Sequence, residues 1–316
     1  MFFSQGFVVA RLYKFDTSFS GEPLKGASCA FGVFDGVHVG HQFLLEQASA
    51  TARENAGASL ALTFDIDPDE VFRSSSLKKL MTNEKRIQTL LNSGVDGVVV
   101  FPFSKEFASL DPFAFLDATF NGHTPAYLHV GCDFRFGVRA KGTTRDLETW
   151  GKAHDMKVVA HRLKSFDGVP ICATRIRGLL AEGKIEQAAE LLGHPYAIEG
   201  EVVSGRKDGR TFGFNTANLA VSEQLLAVGR GVYAARACVR GVRYKAAVNV
   251  GIPPTFAEES HSFCEAHILD FDDDIYGETI SIEFCHFLRP EQKFASADEL
   301  IQTVHANIEW VRENLS

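Results

Sequence analysis

Over residues 1–193, short apolar runs alternate with stretches whose apolar positions recur at helical spacing. The runs beginning at Ser28 and spanning 60–64, 95–101, 127–130 and 157–160 read as strands, while the stretches from Gln42 and over 83–91 and 113–120 read as helices. Such alternation predicts parallel strands joined by crossover helices, with ligands bound beyond the carboxyl ends of the strands. Two further helical patterns, 174–181 and 185–192, stop at Gly193-His194-Pro195, a glycine and proline end signal. Beyond it the period shortens. Alternating segments at 197–203, 232–239, 244–250, 262–269 and 279–284, separated by Gly-rich and Asp-rich turns, predict an antiparallel barrel, closed by a helix over 297–314. The expected organisation is an α/β domain over 1–193 followed by a β-barrel domain over 194–316.

Composition supports a globular two-domain chain: 316 residues, 45% apolar, six cysteines and a formal charge of −8. That charge argues against nucleic acid as a bulk partner, so any phosphate binding has to be local. The apolar N-terminus lacks a basic start and is too short for a membrane span, which makes the cytoplasm the expected compartment and no membrane partner expected. Cys29, Cys132, Cys172, Cys238, Cys264 and Cys285 form no C-x-x-C pair and read as small packing residues in a reducing compartment.

The densest chemistry lies at the first strand-to-helix turn, Phe31-Gly32-Val33-Phe34-Asp35-Gly36-Val37-His38-Val39-Gly40-His41. Free N–H groups of a first helical turn and the positive end of the helix dipole attract anions, and glycines let the backbone approach them. His38 and His41 add donors. A bare histidine pair at a turn also suits a metal site, but Gly32, Phe34, Asp35, Gly36 and Gly40 around it favour a phosphate. The barrel half carries its own constellation: Gly205, Gly209, Gly213, then Asn215-Thr216-Ala217-Asn218, the run from Asn249 to Phe256, Glu265, and Asp270 through Tyr276-Gly277.

Taken together, these motifs resemble the bacterial bifunctional riboflavin kinase/FAD synthetase family. The first half is similar to its Rossmann-like nucleotidyltransferase module, and the second to its riboflavin kinase barrel. The resemblance implies riboflavin phosphorylation to FMN, then adenylylation of FMN to FAD with release of pyrophosphate. ATP accompanied by Mg2+ would be the donor, riboflavin, FMN and FAD the other small-molecule partners; it leaves the oligomeric state open. It implies that His38 and His41 stabilise charge on the phosphates, and that Gly32, Phe34, Asp35, Gly36 and Gly40 shape the nucleotide site. Thr174 and Arg177 would meet the triphosphate, and Asp133 and Phe134, in Gly131-Cys132-Asp133-Phe134-Arg135-Phe136-Gly137, would lie near the flavin together with Asn249. In the kinase, Thr216 and Asn218 would hold the metal, Gly205, Gly209 and Gly213 the phosphates, and Glu265 would be the base. A packed aromatic hairpin is the competing reading of the Phe134 segment, and an outward-facing strand carboxylate that of Glu265.

Departures from the family pattern cluster in the first half. Cys172 and Ala173 replace two hydroxyl donors, and Asp67 stands in place of a histidine in Phe64-Asp65-Ile66-Asp67-Pro68. A carboxylate about 4 Å from a phosphate charge would cost roughly 1 to 4 kcal/mol, depending on the dielectric. Val33 stands where asparagine is frequent, and Asn215 replaces a proline whose loss costs about 0.4–1 kcal/mol. Besides the bifunctional enzyme, the sequence therefore leaves open a riboflavin kinase with a weakened adenylyltransferase, and a non-catalytic flavin- or nucleotide-binding regulator.

Overall fold

A computed structural model of the chain describes residues 10–72, 78–204, 214–251 and 263–315. It divides into two compact units, one of 1–77 with 81–172, the other of 78–80 with 173–316.

The first unit is a six-stranded parallel sheet in the order β1-β4-β3-β2-β5-β6. Its strands are β1 (Arg11–Lys14), β2 (Ser28–Phe31), β3 (Ser59–Phe64), β4 (Gly97–Phe101), β5 (Tyr127–Gly131) and β6 (Lys157–His161). β2, β3 and β4 are buried at every position, as strands covered on both faces must be, so they read as unbroken apolar runs rather than alternating ones. The helices are α1 (Val39–Glu54), α2 (Pro68–Phe72), α3 (Asn83–Leu91), α4 (Lys105–Ala108), α5 (Pro112–Phe120) and α6 (Thr144–Ala153). Their starts follow side-chain chemistry: the Thr82 hydroxyl accepts the Lys85 N–H, Asp111 caps α5 ahead of Pro112, and Thr143 with Asp146 forms a reciprocal capping box. A small hairpin, β7 (Ser165–Phe166) and β8 (Val169–Pro170), ends the unit.

β1 is not legible in the sequence. It lies at the sheet edge beside β4, and its Arg-Leu-Tyr-Lys pattern carries too little apolar signal. The neighbours of β2 matter more. β3 and β4 follow it to one side while β5 and β6 lie on the other, so the chain reverses direction between β2 and β5. In open α/β sheets that switch point is where a crevice forms beyond the carboxyl ends. The turns after β2 and β5 carry the histidine motif and the Asp133-Phe134 segment.

The second unit starts with α7 (Ala173–Ala181) and α8 (Ile185–Leu192). A closed antiparallel barrel follows, ordered β10-β13-β12-β11-β14-β9. Its strands are β9 (Tyr196–Val203), β10 (Ala217–Val221), β11 (Gly231–Val239), β12 (Val242–Gly251), β13 (Phe263–Ile268) and β14 (Thr279–Arg289), and α9 (Ala297–Asn314) ends the chain. α9 seats Ile308 and Val311 in a cluster with Phe214, Ala234 and Leu269. β14 runs past residue 284 because register shifts against β11 let it continue.

The compact units part at Cys172, with α7 and α8 packed in the second. Ile176, Leu180, Ile185, Ala188 and Leu192 are fully buried, Gly229 donates its N–H to the Leu180 carbonyl at 2.8 Å, and Gly183 sits against the Phe287 ring. The glycine and proline end the helix pair without ending the packing. A fragment starting at residue 173 is therefore expected to melt cooperatively. One starting at residue 194 loses several apolar side chains, each worth about 1.5–3 kcal/mol when buried, and should melt at least about 10 °C lower or aggregate. Equal melting temperatures by circular dichroism would refute this grouping.

Candidate active sites

At the end of β2 the backbone enters positive φ at Phe34 (62°), Gly36 (74°) and Val37 (39°). The left-handed region is uncommon for non-glycine residues and unfavourable for a β-branched valine, so this turn is held by its surroundings. The Phe34 ring is fully buried, and the Asp35 carboxylate accepts the Met81 N–H at 3.3 Å. Phe34 and Asp35 thus brace the turn from within. α1 begins at Val39, earlier than the apolar spacing predicts, because His38 is its N-cap: Nδ1 accepts the His41 N–H at 3.4 Å. A nitrogen that accepts carries no proton, so His38 is a neutral imidazole protonated on Nε2.

The two rings stack face to face, with centroids 3.6 Å apart and planes 17° from parallel. Two positive charges at 3.6 Å would repel by about 4–5 kcal/mol at an effective dielectric of 20, so the pair holds at most one. Loss of water around His41, the His38 ring and the Arg86 cation, in that order, push its pKa well below 6.5. The Phe34 edge points at the His41 ring, whose Nδ1 is buried with no hydrogen-bond partner among the described residues. Gly40 fits because a Cβ there would come within 3.1 Å of the His38 ring.

Arg86 gives no signal in the sequence. It lies on α3, is 2% exposed, and hydrogen-bonds the carbonyls of Val33 and Phe64, both at 2.8 Å. The Val33 contact runs through the main chain, which explains why the valine side chain is tolerated there. Asp67 is also buried. Its Oδ1 accepts the Asp69 N–H at 2.9 Å at the start of α2, and burial raises its pKa while Arg86 opposes the rise. The carboxylate is thus engaged at a helix start.

Beyond β5, Phe134 packs partly buried against Phe31 (5.3 Å) and Phe136 (5.8 Å), the aromatic cluster that the hairpin reading anticipates, while Asp133 is exposed. His129, midway along β5, and His161, at the carboxyl end of β6, join Nδ1 to Nε2 at 2.9 Å. Neither histidine stands out in the sequence, because each sits in an ordinary strand. Thr174 and Arg177 lie on α7, in the compact unit of the barrel and not in that of His38 and His41. Cys172 and Ala173 immediately precede them.

In the barrel, strand register assembles the site. Glu265 on β13 lies directly opposite Asn218 on β10 and Asn249 on β12, so the three share one row across adjacent strands. Their neighbours Ala217, Leu219, Cys264, Ala266, Val248 and Val250 are buried on the opposite face. The Thr216 hydroxyl donates to Glu265 Oε1. Asn215 donates Nδ2 to Asp272 at 3.1 Å and its carbonyl lies 2.8 Å from His267 Nδ1, so the asparagine in place of proline ties this segment to the turn after β13. Arg240 holds that turn, meeting Asp273 at 3.0 Å and Glu278 at 2.6 Å. A cavity of about 170 Å³ opens between Thr216, Asn215 and the segment from Phe271 to Tyr276. Gly205, Gly209 and Gly213 lie outside the described residues.

Comparison with known proteins bears on both sites. Residues 21–175 match the FAD synthetase family and 192–315 the riboflavin kinase family. The bifunctional riboflavin kinase/FMN adenylyltransferase of Listeria monocytogenes is 35% identical over 86% of this chain and 87% of its own length. The chain belongs to the bifunctional riboflavin kinase/FMN adenylyltransferase family. The Haemophilus influenzae member is 34% identical over 92% of this chain and 94% of its own, and that of Escherichia coli 34% over 89% and 90%. A crystal structure from Streptococcus pneumoniae, described as a macrolide-efflux protein, has a TM-score of 0.82 at 31% identity, covering 92% of this chain and 95% of that one. Among the described residues no helix is long and apolar enough to cross a membrane. As a family member the chain carries out both reactions, riboflavin to FMN and FMN to FAD.

The His129–His161 pair makes the adenylyltransferase unit acid-sensitive. Burial and the neighbouring ring lower the His129 pKa from 6.5 to about 4, so the unfolded chain takes up a proton that the folded one refuses. The stabilisation is complete above pH 6.5 and is lost progressively as pH falls towards 4. Thermal melts from pH 7 to 4.5 should show the apparent stability falling, and falling less steeply in His129→Gln. An identical pH slope in the variant would contradict this assignment.

Proposed function

We propose that FMN adenylylation takes place at the N-terminus of α1 and riboflavin phosphorylation at the Thr216–Asn218–Glu265 row. At the first site the N–H groups opened by Gly32, Gly36 and Gly40 and the helix dipole hold the ATP phosphates. His38 and His41 act as neutral donors. They stabilise charge on the α-phosphate as an FMN phosphate oxygen bonds to its phosphorus and pyrophosphate leaves. Phe34 and Asp35 set the turn beside the nucleotide, and Asp133 and Phe134 line the approach of the flavin.

In the kinase, Glu265 accepts the proton of the ribityl hydroxyl while that oxygen bonds to the γ-phosphorus and ADP leaves. Asn249 on the adjoining strand contacts the flavin substrate, and Gly205, Gly209 and Gly213 contact the ATP phosphates. The donor set suits Mg2+: because the Thr216 proton is directed to Glu265, its oxygen lone pairs remain for a hard cation, and Asn218 offers an amide oxygen. When bound, the ion supplies charge neutralisation on the transferred phosphoryl group. Both reactions draw on ATP, in keeping with a cytoplasmic enzyme.

The observation that carries this reading is the register of Glu265 between Asn218 and Asn249, with the Thr216 hydroxyl on its carboxylate. Glu265→Gln should lower kcat for FMN formation by about 10²–10⁴ while ATP binding is kept. The same variant, given FMN, should make FAD at the parental rate. His41→Ala should do the reverse, cutting FMN adenylylation by about 10²–10³ with riboflavin phosphorylation intact. Chromatographic separation of riboflavin, FMN and FAD reads both, and parallel loss of the two activities in either variant would refute separate sites.

A further inference from the structure

Three segments converge beside the histidine turn, and one buried side chain touches all of them. Arg86 Nη1 donates to the Val33 carbonyl (2.8 Å) and the Thr63 hydroxyl (2.5 Å). Nη2 donates to the Phe64 carbonyl (2.8 Å) and to Asn83 Oδ1 (3.1 Å). Val33 belongs to the strained turn that leads to His38, Thr63 and Phe64 end β3, and Asn83 begins α3. A planar guanidinium offers several donors in fixed directions, which an ammonium cannot reproduce.

Four carboxylates bear on this cation. Asp67 and Glu70 face it from α2 and its start, Asp35 from the histidine turn and Asp65 from the end of β3, with Asp67 the strongest of the four. They are organised among themselves, since Glu70 Oε1 accepts the Asp67 N–H at 2.9 Å and Asn83 Nδ2 at 3.0 Å.

We propose that Arg86 is a positioning residue for FMN adenylylation. It locks the His38–His41 turn to the ends of β3 and α3, and through Asn83 and Glu70 it is tied to the segment that carries Asp67 where the family pattern has a histidine. The proposal rests on the reading that adenylylation takes place at His38 and His41. Asp67 is then part of the hydrogen-bonded segment that Arg86 anchors, and introducing histidine there adds a second basic group to it.

The test uses the full chain, with FMN and Mg-ATP for FAD formation and riboflavin phosphorylation in the same preparation as a check on folding. Arg86→Gln should lower kcat for FAD formation about 100-fold, the scale of an ångström's misplacement of catalytic groups. It should also move the acid limb of the pH–rate profile upward, because the cation that disfavours protonated His41 is gone. Arg86→Lys keeps the cation without the fork: the limb should stay in place while kcat falls at least tenfold. Asp67→Asn combined with Arg86→Gln should recover part of the loss of Arg86→Gln, and Asp67→His should slow FAD formation. The proposal is overturned if Arg86→Lys keeps the parental kcat, or if Arg86→Gln folds and leaves the acid limb unmoved. Should Arg86→Gln fail to fold, the Lys variant and Asp67→His decide: a parental rate in the first or a faster one in the second overturns the proposal. Failure of the underlying reading looks different, since His38→Ala and His41→Ala would then both form FAD at the parental rate whatever Arg86 does.

Discussion

The first helix of the α/β unit is capped by an imidazole, and that cap dictates the chemistry around it. To accept the His41 N–H, His38 has to leave Nδ1 bare. To lie 3.6 Å over His41, the ring has to avoid sharing that space with a second charge. Gly40 leaves room for the ring, while Phe34, Val37 and Gly36 bend the chain in the left-handed region so that β2 delivers it there. The result is a pair of neutral donors at the positive end of a helix. This arrangement can stabilise a phosphate as its charge changes without presenting a fixed counterion that would hold product equally tightly.

The barrel solves a different problem with a different device. No helix terminus is used among its described site residues; antiparallel register brings Asn218, Glu265 and Asn249 side by side, and a hydroxyl from the segment before β10 meets the carboxylate. Such a row is rigid because each member is fixed by two strands, so a carboxylate and two amides are aligned with one another. The histidine turn and the Glu265 row are thus built by different devices, a capped helix start and strand register.

Much of this was legible in the sequence. Buried parallel strands announced themselves as apolar runs, and the helices over 83–91, 185–192 and 297–314 have the observed limits because their caps and stop signals are local. The histidine turn stood out as a motif, while Thr216, Asn218, Asn249 and Glu265 were singled out by the family resemblance and their alignment in one row by strand pairing alone. Legibility fails where the determinant is remote in sequence. Edge strand β1 has no apolar signature; His129 and His161 meet only because β5 and β6 pair; and the unit boundary at Cys172 is fixed by burial of α7 and α8. Asp67 is the most instructive case. Its type alone suggests a charge opposed to phosphate, yet its carboxylate is taken up by the Asp69 N–H at the start of α2. Asn215 is similar, since the loss of a proline is offset by a hydrogen bond to Asp272 that no local pattern reveals.

The most direct test of this account is the protonation state of the two stacked rings, read by NMR of the full chain with 15N-labelled histidine across pH 5 to 8. The account predicts a neutral His38 carrying its proton on Nε2 at pH 7, and a His41 that stays neutral well below pH 6.5. Either ring found as an imidazolium at pH 7, or a His38 proton on Nδ1, would contradict it.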